Sequence, residues 1–304
     1  MQASDQRSRI VERLRKYVDE PGRILDRVVR FRSIQASDIC WIFGVGRSGS
    51  TWLTELLDGL YATRVWHEPC FGTMLSYPEG VPAEMERTDC FFSRQYEQIW
   101  KGGLRDMLLR SVRARFGRIA NGTKIIVKDI NSPQLCPHFA SIFPESRYIL
   151  LVRDPFDVLD SHIDMTQPGA WNEHEASEHT AEAFATRIRY SLEHSLDGYD
   201  HVRSDLRLLV RYRDLLRDPE GELSRCARFL GISATRVEIE QTVALHRFER
   251  HECTGRGEFR RFGRSGVWHE SDHFSPEVLE VAQRQLGALR SALGYDGDPG
   301  PASR

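Results

Sequence analysis

Several things are missing from this chain, and each narrows what it can be. The six cysteines (Cys40, Cys70, Cys90, Cys136, Cys226 and Cys253) form no Cys-x-x-Cys pair. Several lie in apolar or helical settings, so reduced thiols in a cytoplasmic protein are expected. There is no basic excess: 42 Lys and Arg stand against 44 Asp and Glu, a net charge of −2. That argues against a general nucleic-acid binder and confines any anion site to a local gathering of Arg and Lys. No apolar run is long enough to span a membrane, and the N-terminal stretch has no apolar signal core, so a soluble chain is expected. What is present, 40% hydrophobic and 28% charged residues over 304 positions, is ordinary for one large α/β domain or two smaller ones.

The chain is organised around Cys40 to Leu60, CWIFGVGRSGSTWLTELLDGL. Cys40–Phe43 reads as a buried strand. Gly44, Gly46 and Gly49 break it, and apolar residues from Ser50 to Leu57 resume at helical spacing. A strand, a glycine-rich turn and a helix N-terminus make an anion cradle, because backbone N–H groups can approach the ligand and the helix dipole favours negative charge. Three ligands compete for it. An ATP or GTP P-loop fits the Gly44–Gly49 separation and the Thr51 hydroxyl, but Ser50 stands where that motif needs lysine. A dinucleotide fingerprint fits Gly44 to Gly49, with Glu68 about 20 residues on, yet makes no use of the Ser50 and Thr51 hydroxyls. A 5′-phosphosulfate uses Arg47 as cation and both hydroxyls as donors.

Residues 1–37 read as a helical extension, solvated or serving as a basic arm, interrupted at Pro21-Gly22. Thr63–His67 reads as a second strand, and Pro69 keeps Glu68 extended at its carboxyl end. Ligands bind at that edge in open α/β sheets. A carboxylate there can have its pKa raised towards base duty, although spacing alone gives a salt-bridged surface glutamate. Residues 70–96 are loop-like and are expected to form part of an acceptor pocket. Gln98–Arg115 reads as a helix and Thr123–Lys128 as a strand, with Lys128 at its end as a snorkelling residue or a functional cation. Arg147–Val152 is a further strand, and Pro155 starts a helix, so Arg153 ends the strand and Ser161 lies within the helix. Residues 165–180 are a polar loop or a gate. Ala181–Tyr199 reads as a helix and Leu206–Arg211 as a strand. A helix capped at Asp218 runs to a stop at Gly231, and another covers 276–293. The tail, 297–304, is expected to be disordered. His269-Glu270-Ser271-Asp272-His273 matches the zinc-protease pattern HExxH, but it precedes the helix start at Ser275-Pro276 and so does not place both histidines on one helix face.

Four blocks, in this order, resemble sulfotransferases that use 3′-phosphoadenosine-5′-phosphosulfate (PAPS). GRSGSTW is similar to their 5′-phosphosulfate loop, VRDPFDVLDS to their 3′-phosphate signature, YRDLLRDPEGEL with CARFLGI to a downstream stretch, and RFGRSGVW to their closing loop. In the last block Phe262 and Val267 depart from the family pattern. The resemblance covers Asp38 to Tyr295 and implies an α/β, P-loop-like, three-layer fold with a mostly parallel central sheet, as one domain over 38–296. It implies that PAPS is bound by Gly46, Arg47, Ser48, Gly49, Ser50, Thr51 and Trp52, by Arg153 and Ser161, by Tyr212, and by Arg261, Ser265 and Gly266. Glu68, Lys128 and Arg47 are the implied catalytic residues, with 3′-phosphoadenosine-5′-phosphate (PAP) as product and no metal required. The phenol-sulfating branch carries a histidine base two residues after its lysine; Ile130 stands there here, which moves the base to Glu68. The acceptor is expected to be a hydroxyl of a carbohydrate, glycoside, natural product or peptidyl tyrosine. A P-loop kinase and a nucleotide-binding protein without catalysis are the rival functions.

Overall fold

In the computed structural model, residues 31–72, 91, 93–173, 180–247 and 263–296 are described. Seven strands run in chain order: β1 (Phe31–Ser33), β2 (Ile39–Gly44), β3 (Thr63–His67), β4 (Arg118–Ala120), β5 (Lys124–Lys128), β6 (Arg147–Val152) and β7 (Arg207–Arg211). Five of them form one parallel sheet in the order β3-β5-β2-β6-β7. The central strand β2 is wholly buried, as its near-continuous apolar sequence requires of a sheet covered on both faces.

Alternation along the strands divides the core in two. Trp41 and Phe43 of β2 and Tyr148, Leu150 and Val152 of β6 face one layer; Cys40 and Ile42 with Ile149 and Leu151 face the other. The first layer is filled from α2 (Glu97–Phe116), α3 (Cys136–Ile142), α4 (Pro155–Asp164), α5 (Ala181–His201) and α9 (Pro276–Ala292). The second is filled from α1 (Ser50–Asp58), α6 (Tyr212–Arg217), α7 (Pro219–Leu230) and α8 (Arg236–Leu245). This is the three-layer α/β architecture the resemblance implied, with a mostly parallel sheet at its centre.

The helix boundaries follow local chemistry. Asp154 caps α4 by accepting from Phe156 N–H at 2.9 Å, with Pro155 at the first turn. Asp218 caps α7 in the same way, and Gly231 ends it in the left-handed conformation at φ 72°.

One expectation needs correction. The described end of the N-terminal segment is not helical. Phe31–Ser33 pairs antiparallel with Arg118–Ala120, and residues 36–38 form a single 3₁₀ turn. Asp38 holds that turn by accepting from Gln35 N–H at 2.8 Å and from Arg32, while Ile34 and Ala36 enter the core. Residues 1–30 and the tail 297–304 lie outside the described residues.

Candidate active site

Register brings the site together. His67 of β3 and Ile42 of β2 both stand beside Lys128 of β5, so the carboxyl ends of three strands are level. Glu68 N–H donates to Lys128 O at 2.7 Å and Asp129 N–H to Ile42 O at 3.2 Å, which carries the alignment one residue past each strand. The glycine turn after β2 opens onto this edge, the position where an open α/β sheet binds ligands.

The turn is built for a close approach. Gly49, the residue before α1, sits at φ 92°, and a Cβ there would lie 2.4 Å from the Tyr212 ring. No side chain caps the amides of α1, so their positive end is turned to the cavity. Arg47, Glu68 and Cys70 are the non-glycine residues with positive φ among the described residues, so Glu68, at φ 46°, is left-handed and not the extended residue expected before Pro69. Two of the three candidate catalytic residues thus carry local backbone strain, of the kind that clusters at ligand sites.

A cavity of about 560 Å³ lies against the turn. Gly46, Arg47, Gly49, Ser50, Thr51 and Trp52 line it, and Glu68, Arg153, Ser161 and Tyr212 join them from four other elements. Lys128 is 2% exposed, which removes the snorkelling reading. Its Nζ lies 2.5 Å from Oε1 of Glu68 and donates to Oγ1 of Thr51 at 3.2 Å. Asn131 Nδ2 donates to the other Glu68 oxygen at 3.2 Å. Glu68 is therefore both the salt-bridged glutamate that spacing gave and a wall of the cavity, its side chain 37% exposed rather than buried.

Arg47 reaches across to α4, donating from Nε to Ser161 Oγ at 2.9 Å. Arg153 is held from several sides. It donates to the Arg47 carbonyl at 3.1 Å and to the Arg264 carbonyl at 3.2 Å, and its guanidinium carbon lies 4.8 Å from the centre of the Tyr212 ring. Its Nε lies 3.5 Å from Asp157 Oδ2. Trp52 is committed by Nε1–H donation to the His246 carbonyl at 2.8 Å. Ser48 is buried, and its Oγ has no hydrogen-bond partner among the described residues.

Ser265 and Gly266 stand behind Arg153. The Gly266 N–H donates to Asp157 Oδ2 at 2.9 Å and Ser265 Oγ to the same oxygen at 3.5 Å, while Gly263 and Val267 reach the cavity. Arg261 lies outside the described residues, as do 73–90 and 92 of the expected acceptor segment and 174–179 of the expected gate. The described part of that gate does reach the cavity, through Met165, Trp171 and Asn172.

Two buried carboxylates support this frame. Asp129 accepts from Phe71 N–H at 2.9 Å and from Ser132 Oγ at 2.8 Å, tying the segment after Glu68 to the segment after Lys128. Burial pushes its carboxyl up to about 6. Asp154 is likewise pushed up to about 6, by burial and then by the charge of Asp157, although Arg290 Nε donates to both its oxygens at 3.0 and 3.1 Å.

The two histidines of HESDH part company. His269 stacks on Trp268 within a 3₁₀ turn, and His273 Nε2 lies 3.4 Å from Asp164. Among the described residues no group of three or more His, Cys, Asp or Glu is placed to hold a metal ion, and no helix is long and apolar enough to cross a membrane.

Sequence reasoning missed Asn131, Asp157, His162, Trp171, Asn172, Arg187, Ile188 and Tyr190. Asp157 left a signal, an acid one helical turn after Arg153. Asn131 follows the end of β5 and His162 follows Ser161 in α4, each beside a residue that was singled out. Trp171 and Asn172 come from a polar loop and Arg187, Ile188 and Tyr190 from one side of α5, where no motif marks them.

Among solved structures the chain is similar to a mouse sulfotransferase, SULT7A1, complexed with PAP. That likeness has a TM-score of 0.52 at 16% identity and covers 86% of this chain and 89% of that one. It is also similar to retinol dehydratase in a complex with retinol and PAP, with a TM-score of 0.50 at 19% identity over 88% and 85% of the two chains. At these identities the likeness is one of fold. No curated protein matches the sequence. The model of the sulfotransferase family matches residues 40–236, well over half of the chain, and the chain belongs to that family.

Proposed function

We propose that the chain transfers a sulfonate group from PAPS to an acceptor hydroxyl, releasing PAP. The observation that carries this reading is the convergence, on one cavity, of the uncapped α1 N-terminus with Arg47, Arg153, Ser161 and Glu68, while Lys128 touches two of the wall residues. The residues fit the donor. A glycine turn with φ 92° at Gly49 leaves room for a phosphate against the α1 amides, and the orphan Ser48 Oγ adds a buried polar group to the loop. Arg153 and Ser161, already linked through Arg47, form the 3′-phosphate end, with Tyr212 beneath the guanidinium. Arg261, Ser265 and Gly266 would complete that end from the closing loop. The bound proteins named above, both holding PAP, support the same donor.

The donor supplies an activated sulfonate with a bisphosphate leaving group, and the chain supplies orientation and charge. Glu68 takes the proton of the acceptor hydroxyl, using lone pairs that Lys128 and Asn131 leave open on its carboxylate. The acceptor oxygen bonds to sulfur as the bridging S–O bond breaks, and Lys128, Arg47 and the α1 amides balance the charge left on the phosphate oxygen. A kinase is disfavoured because Ser50 occupies the P-loop lysine position.

Calorimetric titration with PAP, ADP and NAD, each with and without Mg²⁺, tests the donor. Tight metal-independent binding of PAP, lost in Arg153→Ala, is expected. Preference for ADP with Mg²⁺ or for NAD would overturn the reading, and PAP binding without turnover would favour a non-catalytic binder.

A further inference from the structure

The cavity is not lined by the turn and its polar partners alone. Pro133, Met165, Trp171, Ile188 and Tyr190 also line it, and so does Arg187, which meets His162, a ring 3.8 Å from where a Cβ on Gly46 would lie. Trp171 and Tyr190 are 50% and 36% exposed, which leaves aromatic surface in contact with water until something covers it. Arg187 lies one turn before Ser191 on the face of α5 that also presents Ile188.

The cations around the cavity differ in how they are matched. Lys128 lies against Glu68, Arg153 against Asp157, and Arg47 donates to Ser161. Arg187 meets no carboxylate among the described residues. Its polar contact is with His162 Nδ1, 3.4 Å from its NH2 group, and its guanidinium lies over the Phe184 ring at 5.2 Å. A guanidinium stacked on an aromatic face and opening on a cavity is suited to bidentate recognition of a planar anion.

Resting on the sulfotransferase reading above, we propose that the acceptor is itself an anion: a hydroxylated carboxylate with an apolar or aromatic body. Arg187 holds the carboxylate, Trp171 and Tyr190 cover the body, and the hydroxyl is left to Glu68. A neutral sugar or a simple phenol would leave the guanidinium unmatched beneath the bound molecule, which disfavours both.

The test is calorimetry on the full chain saturated with PAP, using matched acid and amide pairs: 4-hydroxyphenylacetate, 3-hydroxydecanoate and glucuronate, each beside its own amide. At least one acid should bind tenfold or more tightly than its amide. In Arg187→Gln, at an exposed position, that preference should fall to twofold or less with the affinities for amide and PAP unchanged. The proposal is overturned if no acid is preferred, if the preference survives in Arg187→Gln, or if that variant weakens PAP itself, which would assign Arg187 to the nucleotide. Failure of PAP to bind the wild-type chain is seen without any acceptor, and it would remove the donor reading together with this proposal.

Discussion

Nζ of Lys128, 2% exposed, lies 2.5 Å from Oε1 of Glu68, 37% exposed, so a buried cation is matched by a carboxylate at the cavity wall. The pair should separate kinetically. Glu68→Gln removes the proton acceptor but keeps an oxygen for Lys128. Its turnover should fall by about 10²–10⁴, a general-base effect, with PAP affinity unchanged. Lys128→Met should lower turnover by about 10²–10³, as loss of a preorganised charge does. PAP formed per minute, with whichever acid of the panel above turns over fastest, is the readout. Undiminished turnover in Glu68→Gln would remove the base assignment.

The strands and most helix limits were legible because buried strands read as continuous apolar runs. Arg147–Val152 and Thr63–His67 were read with their observed bounds, and Asp218 and Gly231 marked both ends of α7. The three-residue strands β1 and β4 were not legible, since so short a run has no period and is held by pairing with a distant segment. In the site, glycines and strand ends announced Gly46, Arg47, Glu68 and Arg153. The contact between Lys128 and Glu68 depends on the register of β3 against β5, which the sequence does not state. The Arg187 wall depends on how α5 packs, for which an amphipathic pattern gives a face but no neighbour.

Asp157 is fully buried and joins the segment around Gly266 to Arg153. Its two oxygens accept from Gly266 N–H at 2.9 Å and Trp268 N–H at 3.3 Å. Asp157→Ala leaves the Arg153 charge without its acid and both amides without an acceptor, which should cost about 3 kcal/mol of stability. Hydrogen exchange locates the effect. The Gly266 and Trp268 amides should lose protection while the β6 amides at Ile149 and Leu150 keep theirs at matched stability. Unchanged protection at Gly266 would mean that the loop is held by other contacts.

Gly49 has two independent reasons to be glycine. Its φ is 92°, and its absent Cβ leaves space that the Tyr212 ring fills to within 2.4 Å of where that carbon would lie. Gly49→Ala should therefore lose at least about 2 kcal/mol of stability, from backbone strain together with the displaced ring. It should also weaken PAP, because the α1 amides move with the turn. Gly102→Ala, in the interior of α2 with nothing within 4 Å of its Cβ position, is the matched control and should gain about 0.5–1 kcal/mol. Urea unfolding of both variants decides this. A Gly49→Ala chain as stable as wild type would contradict the packing of Tyr212.

Asp129 makes stability depend on pH in a defined direction. Burial pushes its carboxyl up to about 6 from an ordinary 3.8. At pH values between these two the folded chain holds the proton more often than the unfolded chain does. The contribution of this group is therefore fully favourable below the unfolded value and is lost as pH rises through the folded one. Asp129→Asn has no such proton to take up, though it keeps an oxygen for the Phe71 N–H. The stability gap between wild type and Asp129→Asn should thus widen in favour of wild type by about 1–1.5 kcal/mol on going from about pH 7 to about pH 5. Asp154, pushed up to about 6 as well, is present in both chains and cancels from the difference. Urea unfolding of the pair at the two pH values is the measurement. A gap that stays constant would mean that the Ser132 and Phe71 donors, which favour the charged carboxylate, outweigh its burial.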